Sequence, residues 1–447
     1  MADTDTPVVR NLRRLMPDLS IYTKDSSDYR DCLKLYNHAL SEQPLVSVRP
    51  RTEPEVSQLI QFCTAGAIPF SVRSGGHDFF GRSLIHEGIL IDMRAMDSVM
   101  VEPDRASARV GGGVIAGALQ ETLDSHGLFT PTGQAKSVGY VSWACGGGYG
   151  FYVGTYGFGV DQILGARVVV AGGCVVDTNE DPELLWALRG AGAGTFGIVT
   201  ELRVKVYPVP KLYAGFLAFP LAEAATVMDR MGKILDEYFP DEFSGDAIVA
   251  HPQMTPIPVS EPCLVLFWCW TAAGGDLAPA KGFLDQIMQA GRVLGNTVTE
   301  SKSQSFQARH QVQLTRSLQL FQPPTAWVTR RRPPSFAVGM LTGYSTESVS
   351  SLHSSLHHNR CPQSSSTITM ARGFAMASQI KSGRLFRIDA NMLFWGSMVA
   401  LHRVTPMPRT LPMQQHGSHN WRRRLIKAGS ACEEEGSLAF PPLTRWM

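Results

Sequence analysis

The chain has 447 residues, 44% hydrophobic and 18% charged, with a net charge of +2. This composition is that of a globular protein rather than a disordered one, and the small net charge argues against a nucleic-acid partner. A chain of this length exceeds what one hydrophobic core supports, so two domains are expected. Residues 1–30 hold no apolar stretch of signal-peptide length, and no run approaches the ~20 apolar residues that span a bilayer. We therefore expect a cytoplasmic protein with no membrane partner.

Strand-like and helix-like segments alternate from residue 45 onward. A helix is predicted between Thr52, a good N-cap residue, and Gly66, because apolar residues recur there at helical spacing. A second helix is predicted over VIAGALQETLDSHG (114–127). The predicted strands of this region are LVSVRP (45–50), IPFSVR (68–73), GILIDM (88–93) and ASARV (106–110). The first two strands and the helix between them form a predicted βαβ unit.

The pattern changes after a proline-containing segment near residue 210. Before it, ARVVVAGGCVV (166–176) predicts a hairpin that turns at Gly172 and Gly173, and FGIVTELRVKVYPVP (196–210) predicts a strand. After it come predicted helices at 221–239 and 280–293 and a buried strand at 263–270. This arrangement favours a separate α+β domain with an antiparallel sheet.

Three glycine clusters are candidates for holding a nucleotide. VGGGVIAGAL (110–119) fits the dinucleotide-binding pattern between a strand and a helix, but no acidic residue suited to a ribose follows about 20 positions later. GAGAGTFG (190–197) contains G-x-G-x-x-G but leads into a strand, which is the wrong context. We therefore disfavour a Rossmann fold. A phosphate-binding P-loop is excluded because the sequence lacks GxxxxGK[ST].

The third cluster is SVRSGGHDFFG (71–81), in which a strand-like run meets two glycines and a histidine. Gly75 and Gly76 allow a sharp bend and let backbone N–H groups point at a diphosphate. A histidine directly after such a bend lies near a bound dinucleotide, where its imidazole can donate a hydrogen bond or attack an electrophilic carbon. Taken alone, this segment favours a turn that carries a solvated histidine.

Five motifs occur in a fixed order over residues 45–211: RSGGHDFFG, GILIDMRAMDSVMVE, HGLFTPTGQAKSVG, CGGGYGFYVGTYGFGVDQI and LLWALRGAGAGTFGIVTELRVKVYPV. This order resembles the FAD-linked oxidases of the berberine bridge enzyme type, in the vanillyl-alcohol-oxidase superfamily. The resemblance implies an α+β fold: a PCMH-type FAD-binding domain of two subdomains, then an α+β substrate domain with an antiparallel sheet. We assign 1–41 to an N-terminal segment, 42–211 to the FAD-binding domain, 212–400 to the substrate domain and 401–447 to a tail.

The resemblance also implies the cofactor and its contacts. FAD would be bonded covalently to His77, and backbone amides of the glycine loops would line the flavin. The implied cofactor-binding residues are Arg73, Ser74, Gly75, Gly76, His77, Asp78, Gly81, Gly133, Ser137, Val138, Gly139, Gly147, Gly148, Gly150, Asp161, Gly197, Ile198 and Val199. Asp161 has a second interpretation, as a group that caps the adjacent glycine loop.

The sequence departs from the family in two places. Many members attach the flavin a second time through a cysteine at the position of Ala135, so a single attachment through His77 is expected here. The family's C-terminal Tyr-x-Asn segment and the short helix after it are not found beyond Leu401, and no catalytic base is assigned. The tail 401–447 carries seven Lys/Arg against three Asp/Glu without a sustained apolar period, and we expect it to be mostly disordered.

The leading functional hypothesis is an FAD-dependent oxidase of a small, specialised-metabolite-type molecule, with hydride transfer to flavin N5 and dioxygen as the electron acceptor. The alternatives are a dehydrogenase that uses another acceptor and a flavin-binding remnant with impaired catalysis. Other features predict no site. His353, His357, His358 and Cys361 lack a fourth ligand pattern for zinc, and the arginine runs at 330–332 and 422–424 lack interleaved aromatic residues.

Overall fold

The computed structural model describes residues 5–37, 40, 42–78, 81–255, 257–301 and 399–401. The described residues fall into two compact units. The first lies within Met1–Tyr149 and Phe158–Tyr207, and the second lies within Gly150–Gly157 and Pro208–Leu411. Both units combine helices with sheets, and the large sheet of the second unit is antiparallel. The predicted α+β class is confirmed.

The first unit contains most of the described elements. Its helices are α1 (Pro7–Leu15), α2 (Tyr29–Cys32), α3 (Glu53–Ala65), α4 (Ala116–Ser125), α5 (Tyr140–Cys145), α7 (Gly159–Gln162) and α8 (Pro182–Ala191). Its strands are β1 (Ser20–Tyr22), β2 (Val46–Arg49), β3 (Phe70–Arg73), β4 (Ile89–Asp92), β5 (Val99–Val101), β6 (Ser107–Gly111), β7 (Leu128–Phe129), β8 (Ile163–Val169), β9 (Val175–Asp177) and β10 (Ile198–Lys205). Helix α6 (Val153–Tyr156) belongs to the second unit, and β11 (Tyr207–Pro208) lies at the boundary.

A four-stranded sheet delivers the chain to the histidine motif. Its order is β1-β2-β4-β3, with β2 and β3 both parallel to β4. Helix α3 starts at Thr52, whose hydroxyl accepts a hydrogen bond from Glu55 N, and it ends at Gly66 as predicted. The predicted βαβ unit is present, but β4 lies between its two strands. All four residues of β4 are buried, as expected of a central strand.

The second sheet of this unit has five antiparallel strands in the order β5-β6-β10-β8-β9. The predicted hairpin is present as β8 and β9, and its turn contains Gly172 at φ 91° and Gly173 at φ 86°. Val169 and Ile198 of this sheet share a hydrophobic core with α3 and with β2 and β4. Helix α3 therefore packs against strands of both sheets.

The second unit is built on one antiparallel sheet with two long helices packed on one face. Its remaining elements are β12 (Lys211–Pro220), α9 (Ala224–Glu237), β13 (Phe243–Ala250), β14 (Cys263–Ala272), α10 (Ala278–Met288), β15 (Gly295–Asn296), β16 (Thr299–Ser301) and β17 (Val399–Leu401). The sheet order is β15-β12-β14-β13-β17, with β16 also paired to β12. Apolar side chains of α9 and α10 pack on Phe219, Phe243 and Trp268 of the sheet.

A buried ion-pair cluster lies at the end of the four-stranded sheet that carries the histidine motif. Asp92 is fully buried, and its Oδ2 lies 2.8 Å from Arg49 Nη2 and 3.6 Å from Arg73 Nη1. Burial lowers the pKa of Arg73 to about 10, so the guanidinium is still charged at neutral pH. Removing the carboxylate would leave that buried charge uncompensated, which is more costly than losing a surface pair.

We expect Asp92→Asn to lower the free energy of unfolding by about 3–5 kcal/mol. The matched control is Asp177→Asn, which breaks a 3.7 Å pair between Asp177, 32% exposed, and Arg167, 40% exposed. Urea unfolding of the control should show a change of less than about 1 kcal/mol. Equal, small effects of the two substitutions would show that the buried cluster does not stabilise the sheet.

Candidate cofactor site

The histidine motif begins where β3 ends, and its arginine fastens it to the N-terminal segment. Arg73 Nη1 donates to Cys32 O at 2.7 Å, and Arg73 Nη2 donates to Lys34 O. In return, Tyr36 N donates to Gly76 O at 2.9 Å. Gly76 has φ 73°, a left-handed conformation that glycine adopts without strain. Residues 31–37 therefore lie along the loop and hold its shape.

The two glycine loops that the sequence singled out meet directly. A Cβ on Gly75 would lie 2.2 Å from Gly139 N and 2.4 Å from Ser137 O. A Cβ on Gly139 would lie 2.2 Å from Ser74 Oγ and 2.7 Å from Gly75 N. Because such distances are far below van der Waals contact, both positions require glycine. The physical reason for these glycines is the close approach of two backbone segments.

This junction presents backbone donors without acceptors. Within the described part of the chain, the N–H groups of Gly75, Gly76, His77, Ser137 and Gly139 donate to no acceptor. The Oγ of Ser74 is buried and likewise has no partner among those residues. Unpaired N–H groups of successive residues form a concave site that favours an anion. The junction has the donors that a diphosphate requires.

His77 is oriented by contacts from two other segments. Its Nε2 lies 2.8 Å from Ser137 Oγ, and its ring stacks on Tyr36 with 4.8 Å between centroids and 25° between planes. Burial lowers the pKa of His77 to about 4, so the imidazole is neutral at pH 7. A neutral imidazole keeps a nitrogen lone pair and can act as a nucleophile. Tyr36 was missed by the sequence analysis because residues 1–41 contain no motif.

The loop 110–119, whose sequence fits the dinucleotide-binding pattern, supports the segment 136–140. Val138 O accepts from Ala116 N, and Tyr140 N donates to Val114 O, both at 2.9 Å. At its other end this loop contacts β10, because Gly112 N donates to Thr200 O. Strand β6, which precedes it, is antiparallel to both neighbours, whereas a Rossmann strand lies in a parallel sheet. The Rossmann alternative is therefore excluded, and the loop serves as a support.

The remaining predicted residues lie in other local arrangements. Gly148, at φ 80°, packs on Gly159, whose N–H donates to Gly148 O. Asp161 Oδ2 accepts from Phe158 N at 2.7 Å, which fits its interpretation as a capping group. Asp78 is engaged by Arg82, with Nη2 2.7 Å from Oδ1. Gly81 lies beside Leu40, Gly147 directly precedes Gly148, and Gly150 belongs to the second unit. Gly197, at φ 156°, lies against Val169 O. In the sheet, Ile198 pairs with Val169 and Val199 pairs with Val168. The cofactor roles of these residues stay predictions.

Among the described residues, no group of three or more His, Cys, Asp and Glu could hold a metal ion. The histidine cluster 353–361, the arginine runs at 330–332 and 422–424, and all of the tail except Leu401 lie outside those residues. In the same described ranges, no helix has the length and apolarity needed to cross a membrane. Five described cysteines are buried free thiols: Cys32, Cys63, Cys145, Cys263 and Cys269.

Comparison with known proteins matches residues 44–179 to a family described as an FAD binding domain. The chain is 37% identical over 296 residues to the FAD-linked oxidoreductase aurO of Gibberella zeae, which covers 66% of this chain and 56% of that protein. It is 34% identical to the (R)-6-hydroxynicotine oxidase of Paenarthrobacter nicotinovorans over 49% of this chain and 50% of that protein. The chain thus spans about half the length of these curated relatives.

Solved structures of known proteins also resemble this chain. The crystal structure of 6-hydroxy-D-nicotine oxidase from Arthrobacter nicotinovorans superposes with a TM-score of 0.59 at 28% identity, over 66% of this chain and 64% of that one. The BBE-like 1 protein of Physcomitrella patens shares the fold, with a TM-score of 0.58 at 23% identity over 66% and 62% of the two chains. Residues 44–179 therefore match an FAD binding domain, and the chain is similar to the FAD-linked oxidoreductases, the wider class that its resemblance to the berberine bridge enzyme type implied.

Proposed function

We propose that this protein is an FAD-dependent oxidase that acts on a small organic molecule of the specialised-metabolite type. The observation that carries the proposal is the junction of residues 74–77 with 137–139. There, unpaired amides, a buried unpaired hydroxyl and a neutral imidazole lie together in the FAD binding domain. These are the donors and the nucleophile that binding and attachment of a flavin dinucleotide require.

The residues at the junction fit the cofactor. The amides of Gly75 and Gly139, with the hydroxyl of Ser74, would hold the diphosphate. His77 would carry the covalent bond to the flavin, and Ala135 offers no thiol for a second bond. When bound, FAD would supply two functions: it would accept a hydride, and it would pass electrons to dioxygen. The protein's part is to hold and orient the cofactor and to surround it with backbone dipoles.

The relatives support an oxidase acting on a small molecule. One is named (R)-6-hydroxynicotine oxidase, and the solved relative at 28% identity is also a nicotine oxidase by name. Neither name fixes the substrate of this chain. We propose only the class of a small, mostly apolar organic molecule, oxidised at a C–H bond next to a hydroxyl or an amine or at a ring closure.

The test is the visible spectrum of the purified full chain before and after acid precipitation. We expect a flavin spectrum in the native protein and flavin that stays with the precipitated chain, because His77 bonds it. Protein without any bound flavin would overturn the proposal. Photoreduced protein mixed with air should then regain its oxidised spectrum within seconds and release hydrogen peroxide. Persistence of the reduced spectrum in air, with rapid bleaching of a dye acceptor, would identify a dehydrogenase instead.

A further inference from the structure

The two nitrogens of the His77 ring have different surroundings. Nε2 lies 2.8 Å from Ser137 Oγ, whereas Nδ1 has no hydrogen-bond partner in the described part of the chain. The ring also stacks on Tyr36. Tyr36 therefore sets the plane of the ring, and Ser137 sets its rotation within that plane. The two orienting residues come from distant parts of the sequence. The histidine is thus held in one orientation with one nitrogen unengaged.

We propose that Ser137 is a positioning residue for covalent attachment: it accepts a hydrogen bond from Nε2–H of His77 and leaves Nδ1 as the nitrogen that bonds the flavin. This inference rests on the proposed function, because it concerns how the FAD binding domain attaches its cofactor. A hydrogen bond at Nε2 selects the tautomer whose lone pair is on Nδ1. It also prevents the ring from turning over and presenting Nε2.

Attachment changes what Nε2 requires of its neighbour. The imidazole N–H bond and one C–H bond of the flavin 8α-methyl group break, and one C–N bond forms. The two protons and two electrons released pass to dioxygen, which becomes hydrogen peroxide. Nε2 then has a lone pair and no proton. A serine hydroxyl can accept a hydrogen bond before this change and donate one after it. A backbone N–H can only donate and a backbone carbonyl can only accept, so neither can serve both states.

The experiment compares full-chain variants that are purified identically. Ser137→Ala removes the hydroxyl, and Ser137→Thr keeps it at a position where the residue is exposed. The matched control is Ser125→Ala, which removes another serine hydroxyl that lies 3.2 Å from a histidine nitrogen, on the surface at His126. The measurements are the rate at which bound FAD becomes acid-stable and the nitrogen through which the histidylflavin is linked after hydrolysis.

We expect attachment in Ser137→Ala to be slower by on the order of tenfold, the effect of losing one hydrogen bond, and to give a mixture of the Nδ1-linked and Nε2-linked isomers. Ser137→Thr and Ser125→Ala should keep the parental rate and the single Nδ1-linked isomer. Unchanged rate and isomer in Ser137→Ala, with covalent flavin in the parent, would overturn this inference alone. A parent chain that carries no covalent flavin would instead overturn the proposed attachment itself.

Discussion

Gly75→Ala will abolish retention of FAD. An added Cβ would lie 2.2 Å from Gly139 N, 2.4 Å from Ser137 O and 2.8 Å from Val138 C, and all three are backbone atoms. No side-chain rotation relieves such a clash, so the two loops must separate. Their separation disperses the amides that we assign to the diphosphate. The expected flavin content of the purified chain, from the ratio of visible to ultraviolet absorbance, falls at least tenfold.

The control and a second substitution separate a cofactor effect from general misfolding. Gly232→Ala adds the same methyl group in the middle of α9, where nothing lies within 4 Å, and is expected to stabilise that helix by about 1 kcal/mol. Gly139→Ala meets Ser74 Oγ at 2.2 Å and Gly75 N at 2.7 Å, so it should lose flavin in the same way. Thermal unfolding and far-UV circular dichroism show whether each variant is folded. Folded Gly75→Ala protein with parental flavin content would contradict the assignment of the junction to FAD.

The sequence was sufficient to locate the two loops that form the junction. Gly75 and Gly139 stand out as glycines within ordered motifs, and the structure gives each a steric reason. Helix α3 and the hairpin β8–β9 were predictable because their end signals are local: Thr52 as N-cap, Gly66 at the end, and two glycines in a left-handed turn. Local signals depend on residue type, so they can be read from one sequence.

What the sequence did not reveal depends on backbone atoms or on distant packing. Residues 31–37 hold Arg73 through the carbonyl groups of Cys32 and Lys34, which any residue type provides. Residues 150–157 continue a glycine-rich motif, yet they join the second unit: Phe151 stacks on Phe267, and Gly154 N donates to Ser244 Oγ. The position of β4 between β2 and β3 was also hidden, because these short strands differ little in apolar pattern.

His77→Ala will leave a protein that binds FAD but releases all of it on acid precipitation. The substitution removes the imidazole and leaves unchanged the amides of Gly75 and Gly139, to which we assign the diphosphate. Ala135 is buried and has no nucleophilic atom, so it cannot replace the lost bond. We expect the acid-stable share of the flavin to fall from nearly all to none, measured as flavin fluorescence of the denatured chain on a gel.

The matched control is His126→Ala, which removes an exposed histidine whose Nδ1 contacts Thr122 O and the Ser125 hydroxyl at the end of α4. It should keep parental acid-stable flavin, because α4 is joined to the junction through its first turn and not through its last. Mass spectrometry of the proteolysed parent should place the flavin on the peptide that contains His77. Acid-stable flavin in His77→Ala, or a flavin-bearing peptide from elsewhere in the chain, would show that the bond is formed by a different residue. In that case the neutral, stacked imidazole of His77 would serve only to line the cofactor.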